Sequence, residues 1–151
     1  LNEQRLKFVR EAMKIPDTVQ IKGDGSELEK LKELTGGTLA EVVIDATGNN
    51  ESMSSALNYC AFAGRLVFVG ITTKEVHFPH PLMHRRELTL LASRNALPQD
   101  FENIIRLIEE GKIDTRPWIT HHAPMAEMIP AFDQWLKPET GVIKAIVEVE
   151  S

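Results

Sequence analysis

The sequence predicts an α/β protein: a doubly wound parallel sheet with a carboxyl-terminal α+β extension. Three observations carry this. Val42-Val43-Ile44-Asp45-Ala46-Thr47-Gly48-Asn49-Asn50 is a β-branched run that ends in glycine. Gly64-Arg65-Leu66-Val67-Phe68-Val69-Gly70 is a second. Between them lies one helix-length amphipathic segment. A strand, a helix and a strand of this kind make a right-handed crossover in a parallel sheet. Such sheets bind ligands outside the carboxyl ends of their strands, where both glycines fall. A glycine there lets a flat ring lie against the backbone. No G-x-G-x-x-G occurs anywhere in the chain.

The elements follow in order. Leu6, Val9 and Met13 recur at helical spacing among charged residues, which predicts an amphipathic helix over 2–14 that Pro16 stops. Thr18-Val19-Gln20-Ile21 reads as a short strand. Ser26 is placed to cap a helix with Leu28, Leu31 and Leu34 on its apolar side, ended by Gly36-Gly37. Val42 to Ala46 is a strand. Asn49 or Asn50 caps the next helix, with Met53, Ala56, Leu57 and Cys60 facing inward and Gly64 closing it. Leu66 to Val69 is a strand, residues 71–86 are loop-rich, and Leu88 to Ala92 reads as a buried strand. Phe101, Ile104, Ile105 and Ile108 define a helix that Gly111 ends. Trp118 to His121 is a brief strand, Pro130 to Leu136 a short helix, and Ile143 to Val149 alternates as a half-exposed strand does. A soft boundary falls at 95–98, which predicts one part over 1–95 and another over 96–151.

Composition excludes several classes. With 151 residues, 42% hydrophobic and 26% charged, the chain suits one globular domain with a sizeable core. A net charge of -5 leaves no basic footprint for nucleic acid. No apolar run is long enough for a membrane span, and no signal peptide precedes the first helix. Cys60 is the one cysteine, which fits a reducing, cytoplasmic setting. Leu1 opens the chain without a methionine, so an internal piece of a longer protein is expected.

Together these landmarks resemble the zinc-dependent medium-chain alcohol and polyol dehydrogenases. Leu1-Asn2-Glu3-Gln4-Arg5-Leu6 is similar to the helix after the second Rossmann strand. Ile44 to Gly48 is similar to the fourth strand with its cofactor turn, and Gly64 to Gly70 to the fifth. Glu87 to Asn95 is similar to the sixth, followed by Ile119-Thr120-His121 and the closing Gly141-Val142-Ile143-Lys144-Ala145. The wording around Ser93-Arg94-Asn95 is most similar to polyol or sugar-acid dehydrogenases. The resemblance covers the carboxyl-terminal half or so of such an enzyme.

That resemblance implies a partial Rossmann-type sheet without its first two strands: a partial dinucleotide-binding domain over 1–95, then a segment returning to the catalytic domain over 96–151. It implies hydride transfer between an alcohol and NAD, with NADP left open because the deciding acidic position would precede Leu1. Arg5 matches the basic residue beside the adenine ribose. Ala46, Thr47 and Gly48 match the fourth-strand turn beside the cofactor. Val69, Gly70 and Ile71 match the backbone that meets the nicotinamide amide. Ser93, Arg94 and Asn95 match the segment beside the nicotinamide and the substrate pocket. The family's zinc ligands lie in the amino-terminal domain, so neither a metal ligand nor a catalytic residue is expected here, and the chain alone is expected to be inactive. The intact enzyme is expected to form a homodimer or homotetramer, with Leu88 to Ala92 near the subunit contact.

The residues also have plainer readings. Gly48 and Gly70 end strands, and Thr47 satisfies a backbone group. Arg5 sits on an exposed helix face, where a solvated charge is usual. An arginine at the end of a buried strand needs a partner, which favours a role for Arg94. His77, His80 and His84 fall in a proline-broken loop rather than on one helix face. His121 and His122 are adjacent, so on a strand they point oppositely. Asp45 is expected to bond nearby backbone. Two other functions compete: an S-adenosylmethionine-dependent methyltransferase, which usually ends in an antiparallel hairpin, and a non-catalytic oligomerisation module that pairs through Leu88 to Ala92.

Overall fold

The computed structural model describes residues 2–149. The chain forms two compact units, one of residues 19–95 and one of Asn2–Thr18 with the residues from Ala96 on. Helix α1 (Glu3–Glu11) therefore belongs to the same unit as the carboxyl-terminal segment.

In the first unit, β1 (Ala40–Asp45), β2 (Cys60–Phe68) and β3 (Thr89–Ala92) form a parallel sheet in that order. Helices α2 (Ser26–Leu34), α3 (Asn50–Ser55) and α4 (His80–Arg85) precede or connect them. The strand–helix–strand crossover expected from residues 42–70 is present. The buried cluster is Ala56, Leu57, Cys60, Leu66 and Leu88, with Val43, Phe68, Leu82 and Leu90 packed around it. Met53, Ala56 and Leu57 face inward as expected, because Asn49 caps α3 by accepting from the Ser52 N–H at 3.0 Å.

Several expectations are corrected. Cys60 and Gly64 belong to β2 rather than to the helix before it. Gly64 is glycine because backbone crowds it: a Cβ there would lie 2.8 Å from the Ala61 carbonyl oxygen and 3.2 Å from that of Glu41. Ser26 starts α2 but does not cap it; Gly25 holds the cap position, and Asp24 before it accepts from the Ser26 N–H at 2.9 Å. Residues 80–85 of the presumed loop are α4, with Pro81 in the first turn where its missing N–H costs nothing. Leu88 is buried, but β3 is a largely exposed strand. Thr18–Ile21 forms no strand: it has strand-type side chains but no hydrogen-bonded neighbour. Val19 and Ile21 instead line a groove of about 280 Å³ with Ala40, Val42 and Val43 along the free edge of β1.

In the second unit, β4 (Ile119–Pro124) and β5 (Lys144–Glu148) pair in parallel. Helices α5 (Pro98–Glu109) and α6 (Met128–Trp135) complete it. The parallel pairing is not the antiparallel hairpin of the methyltransferase alternative. No helix among the described residues is long and apolar enough to cross a membrane.

Candidate functional site

Register places the site. Asp45 of β1 stands opposite Phe68 of β2, and Phe68 stands opposite Ala92 of β3. The three strands thus end level, and three turns leave their carboxyl ends side by side: 46–48, 69–71 and 93–95. In a parallel sheet this is the edge where ligands bind. Backbone groups past the strand ends lack ladder partners, so how the turns are held decides what they can present.

The first two turns are tied by a single residue. The main-chain oxygen of Asp45 accepts from the N–H of Val69 at 2.8 Å and of Gly70 at 3.0 Å. Its side chain, only 5% exposed, accepts through Oδ1 from the Thr47 N–H at 2.9 Å and the Thr47 hydroxyl at 2.8 Å. Oδ2 accepts from the Ser52 hydroxyl at 2.7 Å. The expectation that Asp45 bonds nearby backbone is met, and the structure adds the link to α3. Thr47 Oγ1 in turn accepts from the Asn49 N–H at 3.1 Å. The third turn is joined by the Ser93 N–H, which donates to the Phe68 carbonyl at 2.9 Å.

Gly48 and Gly70 meet in the middle. A Cβ on Gly70 would lie 3.0 Å from Gly48 Cα and 3.1 Å from the Ala46 carbonyl carbon. Gly48 has φ +62°, and a Cβ there would lie 2.8 Å from the Ile71 oxygen. The glycine requirement at Gly70 thus comes first from the neighbouring turn. Above this contact the surface is open and apolar, with Val69 51% and Ile71 90% exposed. Asn95 turns the third segment with φ +60°.

Nine of the ten expected residues are thereby brought to one edge: Ala46, Thr47, Gly48, Val69, Gly70, Ile71, Ser93, Arg94 and Asn95. Arg5 is not among them. It belongs to the second unit, where its Nη2 donates to the Val142 carbonyl at 3.0 Å. Arg94 is exposed, and among the described residues it makes no ion pair. The argument that it needs a buried partner is corrected, because β3 itself is exposed.

Sequence reasoning missed Ser52 and Ser54 of α3 and took Asn50 only as a possible cap, a post that Asn49 fills. Asn50 Nδ2 donates to the Glu75 carbonyl, and the Ser54 hydroxyl accepts from the His77 N–H at 3.2 Å. These bonds hold the loop that follows Ile71. The available signal was the i, i+4 pair Asn50 and Ser54 on one side of a helix. His80 and His84 do share a face of α4, with ring centroids 6.0 Å apart, contrary to the loop reading. Among the described residues, no three His, Cys, Asp or Glu are grouped to hold a metal ion. The described residues therefore do not fit zinc.

Comparison with known proteins agrees with this geometry. Residues 1–110 match the family model described as zinc-binding dehydrogenase. The chain is 37% identical over 118 residues to L-galactonate-5-dehydrogenase of Escherichia coli (strain K12), covering 78% of this chain and 35% of that protein. It is 27% identical over 151 residues to L-arabinitol 4-dehydrogenase of Hypocrea jecorina, covering 98% of this chain and 40% of that one. In fold it is similar to an oxidoreductase/dehydrogenase of unknown specificity from Escherichia coli. There the TM-score is 0.85 at 19% identity, over 100% of this chain and 42% of that structure. The chain thus spans well under half the length of these relatives.

Proposed function

We propose, for a chain that belongs to the zinc-binding dehydrogenase family, that it is the nicotinamide-side half of an NAD-dependent dehydrogenase acting on a polyol or sugar acid. The observation that carries this reading is the level row of three turns, with Gly48 packed on Gly70 beneath exposed Val69 and Ile71. An apolar ledge backed by bare backbone suits one face of a flat ring. The N–H groups of Val69 and Ser93 are spent on the Asp45 and Phe68 carbonyls, so their own carbonyls are proposed to accept from its carboxamide, and Arg94 to pair with an anionic group such as a pyrophosphate or a substrate carboxylate.

When bound, the cofactor supplies the hydride acceptor; the residues of this chain bind and orient it. Val69 and Ile71 exclude water from one ring face and leave the other toward the alcohol, which is the source of the positional advantage. Zinc does not fit the described residues, and this chain alone is proposed not to turn over an alcohol. The sugar-acid class is supported by the name of the Escherichia coli relative and by Arg94 standing beside the ring. The reading extends to a homodimer or homotetramer in a cytoplasmic setting, which suits a buried, unpaired Cys60.

Titration of the chain with NADH, followed by nicotinamide emission, tests the reading. A saturable rise in emission that S-adenosylmethionine does not compete away is the expected result. No saturable change, or saturable binding of S-adenosylmethionine instead, would overturn it.

A further inference from the structure

We propose that Asp45 is the positioning residue of this site: one side chain and one carbonyl set the spacing between the two turns that receive the ring. The proposal rests on the nicotinamide reading above. Its basis is a closed circuit of hydrogen bonds. The Ser52 hydroxyl donates to Asp45 Oδ2 at 2.7 Å, and the Thr47 hydroxyl donates to Asp45 Oδ1 at 2.8 Å. The Asn49 N–H donates to Thr47 Oγ1 at 3.1 Å, and the Ser52 N–H donates to Asn49 Oδ1 at 3.0 Å. The circuit runs Asp45, Thr47, Asn49, Ser52 and back to Asp45. It encloses the 46–49 turn and locks it to the first turn of α3.

The same residue reaches the other side. Its main-chain oxygen holds the N–H groups of Val69 and Gly70. Moving Asp45 therefore moves both turns, and Gly48 and Gly70 are packed so closely that neither can shift alone. A carboxylate suits this post because it offers acceptors on two oxygens and donates nothing. All the donors that it meets are neutral: one N–H and two hydroxyls. Burial of a charge held this way is costly unless every acceptor is used, so the circuit holds Asp45 in place as firmly as Asp45 holds the turns. Asparagine fills the same volume but presents an NH2 to one of the two hydroxyls. The Thr47 arm is kept, while the hydroxyl facing the NH2 must turn from donor to acceptor, so that arm reverses and loses its charge-assisted bond.

The test measures NADH binding and thermal melting on the full chain. Asp45→Asn is expected to raise the dissociation constant for NADH at least tenfold. Ser52→Ala removes only the Oδ2 arm and is expected to raise it at least threefold with the melting temperature little changed. Ser52→Thr keeps the hydroxyl and is expected to restore wild-type binding. A merely structural role would lower melting temperatures and leave the binding constant of the folded protein unmoved. Wild-type binding by folded Asp45→Asn, or equal binding by Ser52→Ala and Ser52→Thr, would overturn the proposal while leaving the nicotinamide reading intact. If Asp45→Asn does not fold, the Ser52 pair decides. Failure of the wild-type chain to bind NADH would sink the reading and this proposal together.

Discussion

Gly70 has no room for a side chain, and this changes what its substitution should do. If Gly70 served only to let a flat ring lie against the backbone, valine there would merely obstruct a cofactor. In the structure the added Cβ meets the Gly48 backbone before any ligand arrives. Gly70→Val is therefore expected to cost about 1–3 kcal/mol in urea unfolding, the usual range for overpacking. A wild-type unfolding midpoint would contradict it. Arg94 is the opposite case, an exposed side chain with no ion pair among the described residues. Arg94→Ala should change stability by under about 0.5 kcal/mol. It should weaken NADH binding by about 1.5–3 kcal/mol if a charge-assisted bond is lost. Unchanged binding in the titration would remove Arg94 from the site. Cys60 is 0% exposed, and burial raises its thiol above the ordinary value of 9.0, with the Arg86 charge opposing. The sign follows. Above that value the unfolded chain ionises first, so stability is full below it and falls as pH rises. Urea midpoints at pH 8 and pH 10 should show the loss, and an aromatic disulfide reagent should label Cys60 only after unfolding.

Among the elements, the join between α3 and β2 depends on an arginine that the sequence did not single out. Arg86 Nη1 donates to the carbonyls of Leu57, Asn58 and Cys60 at 3.3, 3.1 and 2.9 Å. These reinforce the end of the 3-10 turn Ala56–Tyr59, where the Leu57 carbonyl also accepts from the Cys60 N–H. Arg86→Met keeps much of the stem but removes all three charge-assisted bonds. It should cost about 2 kcal/mol, the scale of a hydrogen bond to a charged group. Thermal melts of the two proteins, read against a Glu87→Gln control, check this. Helix α5 teaches the reverse lesson. Its Phe101, Ile104, Ile105 and Ile108 recur at helical spacing and read as a core face, yet all four are exposed. Periodicity identifies the apolar stripe of a helix but not what covers it.

Across the whole molecule, the feature with the largest consequence is the free edge of β1. Its outer side has no hydrogen-bonded strand among the described residues, and Ile44 is 64% exposed there. Open edges carrying apolar side chains pair with other chains. The chain is expected to self-associate at micromolar concentration. Ile44→Lys, which places a charge on that edge, should shift it toward a 17.0 kDa monomer in sedimentation velocity. A wild-type chain that is already monomeric and melts in one cooperative step would contradict this.

The sequence by itself determined the parallel α/β class, the crossover from β1 through α3 to β2, and the turns that belong at the carboxyl edge. Each depends on local chemistry: β-branched runs, an asparagine cap, glycine where a positive φ or a close approach is needed. Ala46, Thr47, Gly48, Val69, Gly70 and Ile71 were legible as strand ends from their glycines, whereas Ser93, Arg94 and Asn95 followed from the family resemblance. What only the tertiary structure decided is set by partners distant in the chain. Thr18–Ile21 has the composition of a strand but no neighbour to bond, and a strand exists only as part of a ladder. Gly64 and Gly70 are glycines because of Glu41 and Gly48, which no spacing rule connects to them. Arg5 joins the second unit through Val142, across 137 positions of sequence. The hub at Asp45 was visible as a carboxylate, but its grip on Val69 and Gly70 arises only when β1 and β2 lie side by side.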